Sequence, residues 1–94
     1  MSYSYEQAEA LALKALAFLV GDEDLLPVFM GSSGASADDL REGAGDPAFL
    51  GAVLDFIMMD DQWLIRFCDS QNLAYESIYP ARQVLPGGEN VNWT

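Results

Sequence analysis

The sequence contains no histidine, and this absence limits the chemistry that the chain can perform. Histidine is the commonest general base near neutral pH and the commonest protein ligand of transition metals. No glycine-rich loop follows a strand pattern, so a phosphate-binding loop is also missing. The serines stand where helices begin or turns form. We therefore expect no enzymatic activity, no catalytic residue and no cofactor.

Basic residues are scarce as well. Four lysines and arginines oppose fifteen acidic residues, for a formal net charge of −11. Nucleic-acid binding draws most of its affinity from basic side chains that neutralise phosphates, and anionic membranes attract basic segments. The chain is therefore expected to bind neither. Its charge favours a basic partner, although acidity that only maintains solubility explains the same numbers.

Cysteine and long apolar segments are the other shortages. Cys68 is the only cysteine, so no internal disulfide can form, and we expect its thiol to pack in the core. The longest apolar runs, 10–20 and 49–59, are about half the roughly 20 residues that a bilayer requires. The first ten residues lack the basic stretch of a secretory signal. These features predict a cytoplasmic protein.

What the chain has in quantity is apolar sequence: 51% of its 94 residues are hydrophobic. Residues 8–43 also resemble residues 46–81 when the chain is shifted by 38 positions. Such a shared shift indicates one structural unit built twice, in halves at about 5–43 and 46–85, with 86–94 as a flexible tail. The identical pairs are Ala10 and Ala48, Leu16 and Leu54, Phe18 and Phe56, Asp22 and Asp60, Leu26 and Leu64, Phe29 and Phe67, and Ser32 and Ser70.

Capping residues predict three helices in each half, and no alternating strand pattern occurs. We expect one all-α domain over 1–94, a compact six-helix bundle made of two tandem three-helix repeats. In the first half the predicted helices are 5–20 with a Ser4 and Gln7 capping box, a short helix from Asp22 or Asp24 to about Met30, a turn at 31–34, and a helix capped by Ser36. In the second half they are a helix from Asp46-Pro47 to about Met59, a helix from Asp60 or Asp61 to about Asn72, and a helix over 75–85 that Pro80 kinks or breaks.

Helices 1 and 4 are apolar on nearly every side, which predicts burial on every side. We therefore expect them to form a central buried pair. Lys14 and Asp55 are the charged residues that interrupt their apolar runs. The two either meet as a buried ion pair that sets the register of the halves, or each reaches the surface, and we favour the second arrangement.

The acidic clusters at 22–24, 38–39 and 60–61 could bind a hard cation only if several oxygens converged on one point. In a calcium-loop alignment that starts at Asp22, the fifth position is Leu26 and the sixth is Pro27, so the pattern fails. Each cluster stands at a predicted helix start, where carboxylates cap the backbone. We expect caps and no metal site.

Aromatic and methionine side chains near helix ends are the better functional signal, because they form adaptable recognition surfaces when exposed. Packing in the core is the competing explanation for all but Trp93. The candidate interaction surface consists of Met58, Met59, Trp63, Tyr75, Tyr79 and Trp93.

Three segments, 8–19, 44–56 and 61–67, resemble a small alphaproteobacterial family of uncharacterised helical proteins, the domain of unknown function 3572. The Ala44-Gly45-Asp46-Pro47 opening of helix 4 is the most specific part of the resemblance, which covers about residues 8–85. The resemblance implies a short helical protein without an established active site. It also implies a signalling protein as a candidate partner.

Taken together, the residues predict a non-enzymatic protein–protein interaction or regulatory module with an acidic surface. One alternative is a helical protein that binds a small apolar ligand in a pocket between the two halves. Another is an acidic mimic of nucleic acid, which requires carboxylates along one face. The oligomeric state is left open.

The central-pair model can be tested by truncating its aromatic side chains. Replacing Phe18 or Phe56 with alanine should lower the unfolding free energy by about 3–5 kcal/mol. That is a large share of the roughly 5–15 kcal/mol that stabilises a typical domain. Denaturant titration measures the change, and wild-type stability in either variant would contradict the model.

Overall fold

The computed structural model describes residues 3–86, and every regular element in that range is helical. The predicted all-α fold is thus confirmed. The predicted tail from residue 87 onward, with Trp93, lies outside the described residues. The elements are α1 (Tyr5–Val20), α2 (Leu25–Ser33), α3 (Ala37–Gly43), α4 (Pro47–Met58), α5 (Asp61–Gln71), a 3₁₀ turn (Tyr75–Ser77) and α6 (Ile78–Val84).

Side-chain caps begin these helices largely where the sequence predicts. Ser4 and Gln7 form the reciprocal capping box of α1, with Gln7 N donating to Ser4 Oγ at 3.1 Å. The carboxylates of Asp46 and Asp60 accept backbone N–H bonds in the first turns of α4 and α5, at 3.1 and 2.8 Å. Each cap satisfies an amide that has no partner within its own helix.

Asp22 is the residue that caps α2, although Asp24 occupies the formal cap position. One oxygen of Asp22 accepts from the backbone amides of Asp24 and Leu25, at 2.9 and 3.0 Å. The other oxygen pairs with Arg66 of α5. The hydrogen bond from the backbone N–H of Leu25 is the main reason that the pKa of Asp22 lies below its usual value.

Two predicted boundaries are wrong. The segment 31–33, predicted as part of a turn, forms the last turn of α2, and only Gly34 leaves the helix, with a left-handed φ of 77°. Ser33 is helical, and its hydroxyl donates to the carbonyl of Phe29, four residues earlier, at 2.7 Å. The helix ends at Gly34, which lacks a Cβ and so adopts the left-handed conformation without steric cost.

The last predicted helix, 75–85, is divided upstream of Pro80. A 3₁₀ turn spans Tyr75–Ser77, and α6 begins at Ile78. Pro80 then falls in the first turn of α6, where the backbone N–H needs no helical partner. The break therefore precedes the proline.

α1 and α4 make the most extensive contact of any two elements, as the central-pair model requires. Burial is not complete on every side, because Leu13 and Val20 of α1 are 38% and 52% exposed. The helices that contact α1 do not cover the side on which Leu13 and Val20 lie. The fully buried residues of the pair include Ala8, Ala12, Ala15, Leu19, Leu50, Val53, Leu54 and Ile57.

Four aromatic rings run in a chain through this core. Phe29 meets Phe49 and Phe56 edge to face, with ring centroids 5.9 and 5.1 Å apart. Phe56 in turn stacks on Trp63 at 4.6 Å. Phe18 is only half-buried, so Phe56 is the more central of the two phenylalanines in the predicted pair.

The 38-residue correspondence recurs in local details. Within residues 3–86, the residues with positive φ are Gly34 and Asn72, which are 38 positions apart and both end a helix. Phe29 and Phe67, also 38 apart, are both buried. The duplication itself stays a prediction, as does the division into halves.

Asp55 pairs with Arg82, a partner that the sequence did not indicate. Nε and Nη2 of Arg82 donate to the two carboxylate oxygens at 2.6 and 2.9 Å. Its Nη1 donates to the carbonyls of Leu85 and Pro86, at 3.3 and 3.1 Å. Arg82 is buried, and Lys14 is exposed, as expected. This arginine therefore joins α4 to α6 and also caps the end of α6.

None of the helices within residues 3–86 combines the length and apolar character needed to cross a membrane.

Gly51 should be essential to the arginine contact. A Cβ there would lie 2.8 Å from Nη1 of Arg82 and 3.1 Å from the carbonyl oxygen of Pro86. Gly51→Ala should therefore destabilise the fold by about 1–3 kcal/mol, because Arg82 cannot withdraw without losing its partners. Thermal and denaturant unfolding measure the effect.

Gly31 provides the matched control, since it lies within α2 and a Cβ there meets nothing within 4 Å. Gly31→Ala should stabilise the protein by about 0.5–1 kcal/mol through helix propensity. Equal effects of the two substitutions would show that the close approach at Gly51 does not matter.

Candidate functional site

A surface cavity of about 270 Å³ lies between the end of α2, one side of α3 and the beginning of α4. The rings of Phe29 and Phe49 contribute its apolar lining. Asp39, Glu42 and Asp46 contribute carboxylates. We call this feature, defined by these five residues, the acidic cavity.

Local sequence explains why these elements leave a cavity. The left-handed Gly34 ends α2, and the capping box of Ser36 and Asp39 starts α3 only three residues later. Gly43 is buried at the end of α3, and a Cβ there would overlap the Phe49 ring. The missing side chain therefore lets Phe49 lie directly against α3, beside the edge of Phe29.

The carboxylates of the acidic cavity have oxygen atoms that accept no hydrogen bond from the described chain. Asp39 Oδ2 accepts from Ser36 N at 2.9 Å, and Asp46 Oδ1 accepts from Ala48 N at 3.1 Å. Among residues 3–86, no hydrogen bond engages the other oxygen of either aspartate or the carboxylate of Glu42. The cavity thus combines negative charge with aromatic surface.

No cationic side chain of the described chain lines the acidic cavity. Arg41 is the nearest basic residue in sequence, on α3, and it pairs with Asp38 instead. Within residues 3–86, no three acidic or cysteine side chains are arranged to hold a metal ion. The carboxylates that line the cavity can accept hydrogen bonds from a group that brings several donors of its own.

The predicted interaction residues near α4 and α5 fall in different environments. Trp63 is half-buried, since its ring stacks on Phe56. Met58 is half-buried against the core, whereas Met59 is 72% exposed. Trp63 therefore serves the core as well as the surface, and Met59 is the most accessible of the three.

The two predicted tyrosines lie around the start of α6. Tyr75 is 46% exposed and donates its hydroxyl hydrogen to Asp69 Oδ1 at 2.8 Å, a bond that raises the pKa of Tyr75. Tyr79 is 63% exposed. No aromatic pair within residues 3–86 joins these tyrosines to Trp63, and Trp93 lies outside the described part of the chain.

Sequence reasoning missed the acidic cavity because capping accounted for Asp39 and Asp46 individually. Glu42 is the residue that capping does not explain, because it stands near the end of α3, where the helix dipole disfavours negative charge. Its position three residues after Asp39 places both carboxylates on one side of the helix. Together with Gly43, that spacing was the available signal.

A small, acidic, all-helical bundle with a carboxylate-lined cavity is the class of protein that these features define. The model of a family described as "Protein of unknown function (DUF3572)" matches residues 5–88, and the chain belongs to this family. No curated protein and no solved structure matches the chain.

Cys68 is the one thiol nucleophile that the sequence offers. It is fully buried in α5. Burial raises the pKa of its thiol above the usual value, and the carboxylates of Asp69 and Glu76 act in the same direction. The thiol is therefore protonated at neutral pH and shielded from solvent, as a core position requires.

This environment predicts slow chemical modification of Cys68. An aromatic disulfide reagent should react at least about tenfold more slowly with the folded protein than with the protein in denaturant. The folded-state rate should rise only in the alkaline range, above the ordinary thiol pKa of about 8.5. Fast reaction of the folded protein at neutral pH would contradict the core assignment.

Proposed function

We propose that this protein is a non-enzymatic protein-interaction module that binds a basic segment of another protein. One observation carries the proposal: three of the four basic side chains form ion pairs within the fold. These pairs are Arg41 with Asp38, Arg66 with Asp22, and Arg82 with Asp55.

These pairings leave Lys14 as the only basic side chain in the chain without an ion pair among residues 3–86. The remaining surface charge is almost entirely negative, in a chain whose formal net charge is −11. A surface field of one sign speeds encounter with partners of the opposite sign and repels those of the same sign. This asymmetry supports a basic protein segment as the partner, and a signalling protein remains one candidate.

The chemistry of the side chains supports a binding role over catalysis. The chain has no histidine, and its one thiol is buried with a raised pKa. The carboxylates of Asp22, Asp46 and Asp60 accept backbone hydrogen bonds at helix starts. The proposal also keeps the cytoplasmic location predicted from the sequence.

A small apolar ligand is the second candidate, and a second cavity is the observation that favours it. This cavity, of about 200 Å³, lies between α1 and Leu73, where the predicted halves meet. Tyr3, Leu11 and Leu73 contribute apolar surface, and Lys14 also lines the cavity. Its volume is below the roughly 300–1,000 Å³ typical of ligand sites, so protein binding remains the leading proposal.

The proposal predicts charge-selective binding. Three labelled peptides of equal length would alternate glycine with arginine, with neutral citrulline or with glutamate. At about 150 mM salt, fluorescence anisotropy should detect binding of the arginine peptide alone, weakening severalfold as salt is doubled because screening shortens the range of the field. Equal affinity for the citrulline peptide, or no affinity for the arginine peptide, would contradict the proposed function.

A further inference from the structure

We propose that the acidic cavity receives an arginine side chain from the basic partner. This inference rests on the proposed function and names the part of the surface that performs it. Its basis is a cavity that has an aromatic lining and three carboxylates. None of these carboxylates forms an ion pair with a basic side chain of residues 3–86.

The volume of the acidic cavity suits one side chain. Sites for whole organic ligands usually measure roughly 300–1,000 Å³. At about 270 Å³, this cavity falls just below that range. A projecting side chain can enter it while the rest of the partner remains on the surrounding surface, where the negative field acts on further basic residues.

The carboxylates favour a guanidinium group over an ammonium group. Asp39, Glu42 and Asp46 line the same cavity, and each has carboxylate oxygen that forms no hydrogen bond among residues 3–86. A guanidinium presents five N–H donors in one plane and can engage more than one carboxylate at once. A lysine ammonium is a compact point charge with three donors, and it leaves more of these acceptors to water.

The aromatic lining favours the same group. Phe49 is half-buried at the cavity, with Phe29 behind it, and Gly43 holds its ring close to α3. A guanidinium packs well against aromatic rings, because it is planar and more weakly hydrated than an ammonium. The three carboxylate residues are exposed, so the Phe49 ring supplies contact surface for the guanidinium beside solvent-accessible acceptors.

The protein already uses this combination elsewhere. The guanidinium of Arg66 lies 5.9 Å from the centre of the Phe18 ring and pairs with the carboxylate of Asp22. An arginine placed beside a phenylalanine and paired with an aspartate thus already occurs in this fold. The acidic cavity presents the same kind of surroundings, a phenylalanine with carboxylates, at a place where the described chain supplies no arginine.

A pair of charge-matched triple variants tests the assignment. The cavity variant is D39N/E42Q/D46N, and the control is E23Q/D24N/D61N, which removes the same number of charges away from the cavity. Asparagine retains a capping oxygen at positions 39 and 46, and the control leaves the capping carboxylates of Asp22 and Asp60 in place. Circular dichroism confirms folding, and Glu42→Gln alone repeats the test if the cavity triple variant does not fold.

The wild-type protein should bind the arginine peptide severalfold more tightly than a matched lysine peptide. The cavity variant should lose about tenfold in affinity for the arginine peptide, and the control variant less than about threefold. In amide NMR spectra of the wild type, the arginine peptide should shift signals chiefly from residues 33–35, 39–46 and 49.

Each other outcome overturns a defined part of the argument. Equal losses in both triple variants, or amide shifts centred elsewhere, overturn the cavity assignment and leave the proposed function intact. Equal affinity for the lysine and arginine peptides overturns the choice of arginine. Absence of binding by the wild-type protein overturns the proposed function itself.

Discussion

The close contact between α1 and α4 is the constraint on which the other elements depend. Alanines of α1 occupy fully buried positions, and larger apolar side chains of α4 are buried in the same core. The shorter helices then pack around this pair. Because α4 also supplies Phe49, Phe56 and Asp55, it connects the acidic cavity, the aromatic chain and the Arg82 contact in one element.

The chain uses its few basic residues for structure. Arg82 joins α4 to α6, and Arg66 joins α5 to the cap of α2, so each arginine links parts of the chain that are distant in sequence. A buried arginine needs such partners, because leaving its charge unpaired would be costly. Each of these pairs also neutralises one carboxylate, so pairing leaves the formal net charge at −11. The negative field therefore comes from the excess of acidic residues in the composition.

Much of the fold could be predicted, because helix starts and ends are local events. A carboxylate or hydroxyl before an apolar run caps a helix whatever lies nearby, as Ser4, Asp46 and Asp60 show. The candidate site could not be predicted in this way. It depends on a ring from α4 lying against the backbone of α3, and the sequence shows only that Gly43 would permit this approach. Neither Trp63 nor Asp55 revealed its partner in the sequence for the same reason.

The sequence alone thus determined the all-helical class, most helix boundaries, the burial of Cys68 and the acidic character of the chain. These properties follow from composition, periodicity and capping, which act over a few residues. Tertiary structure decided which charges are neutralised, which side of α1 stays exposed and where carboxylates gather around an aromatic surface. Those outcomes depend on how helices far apart in sequence approach one another, and packing distances are set only when the whole core forms.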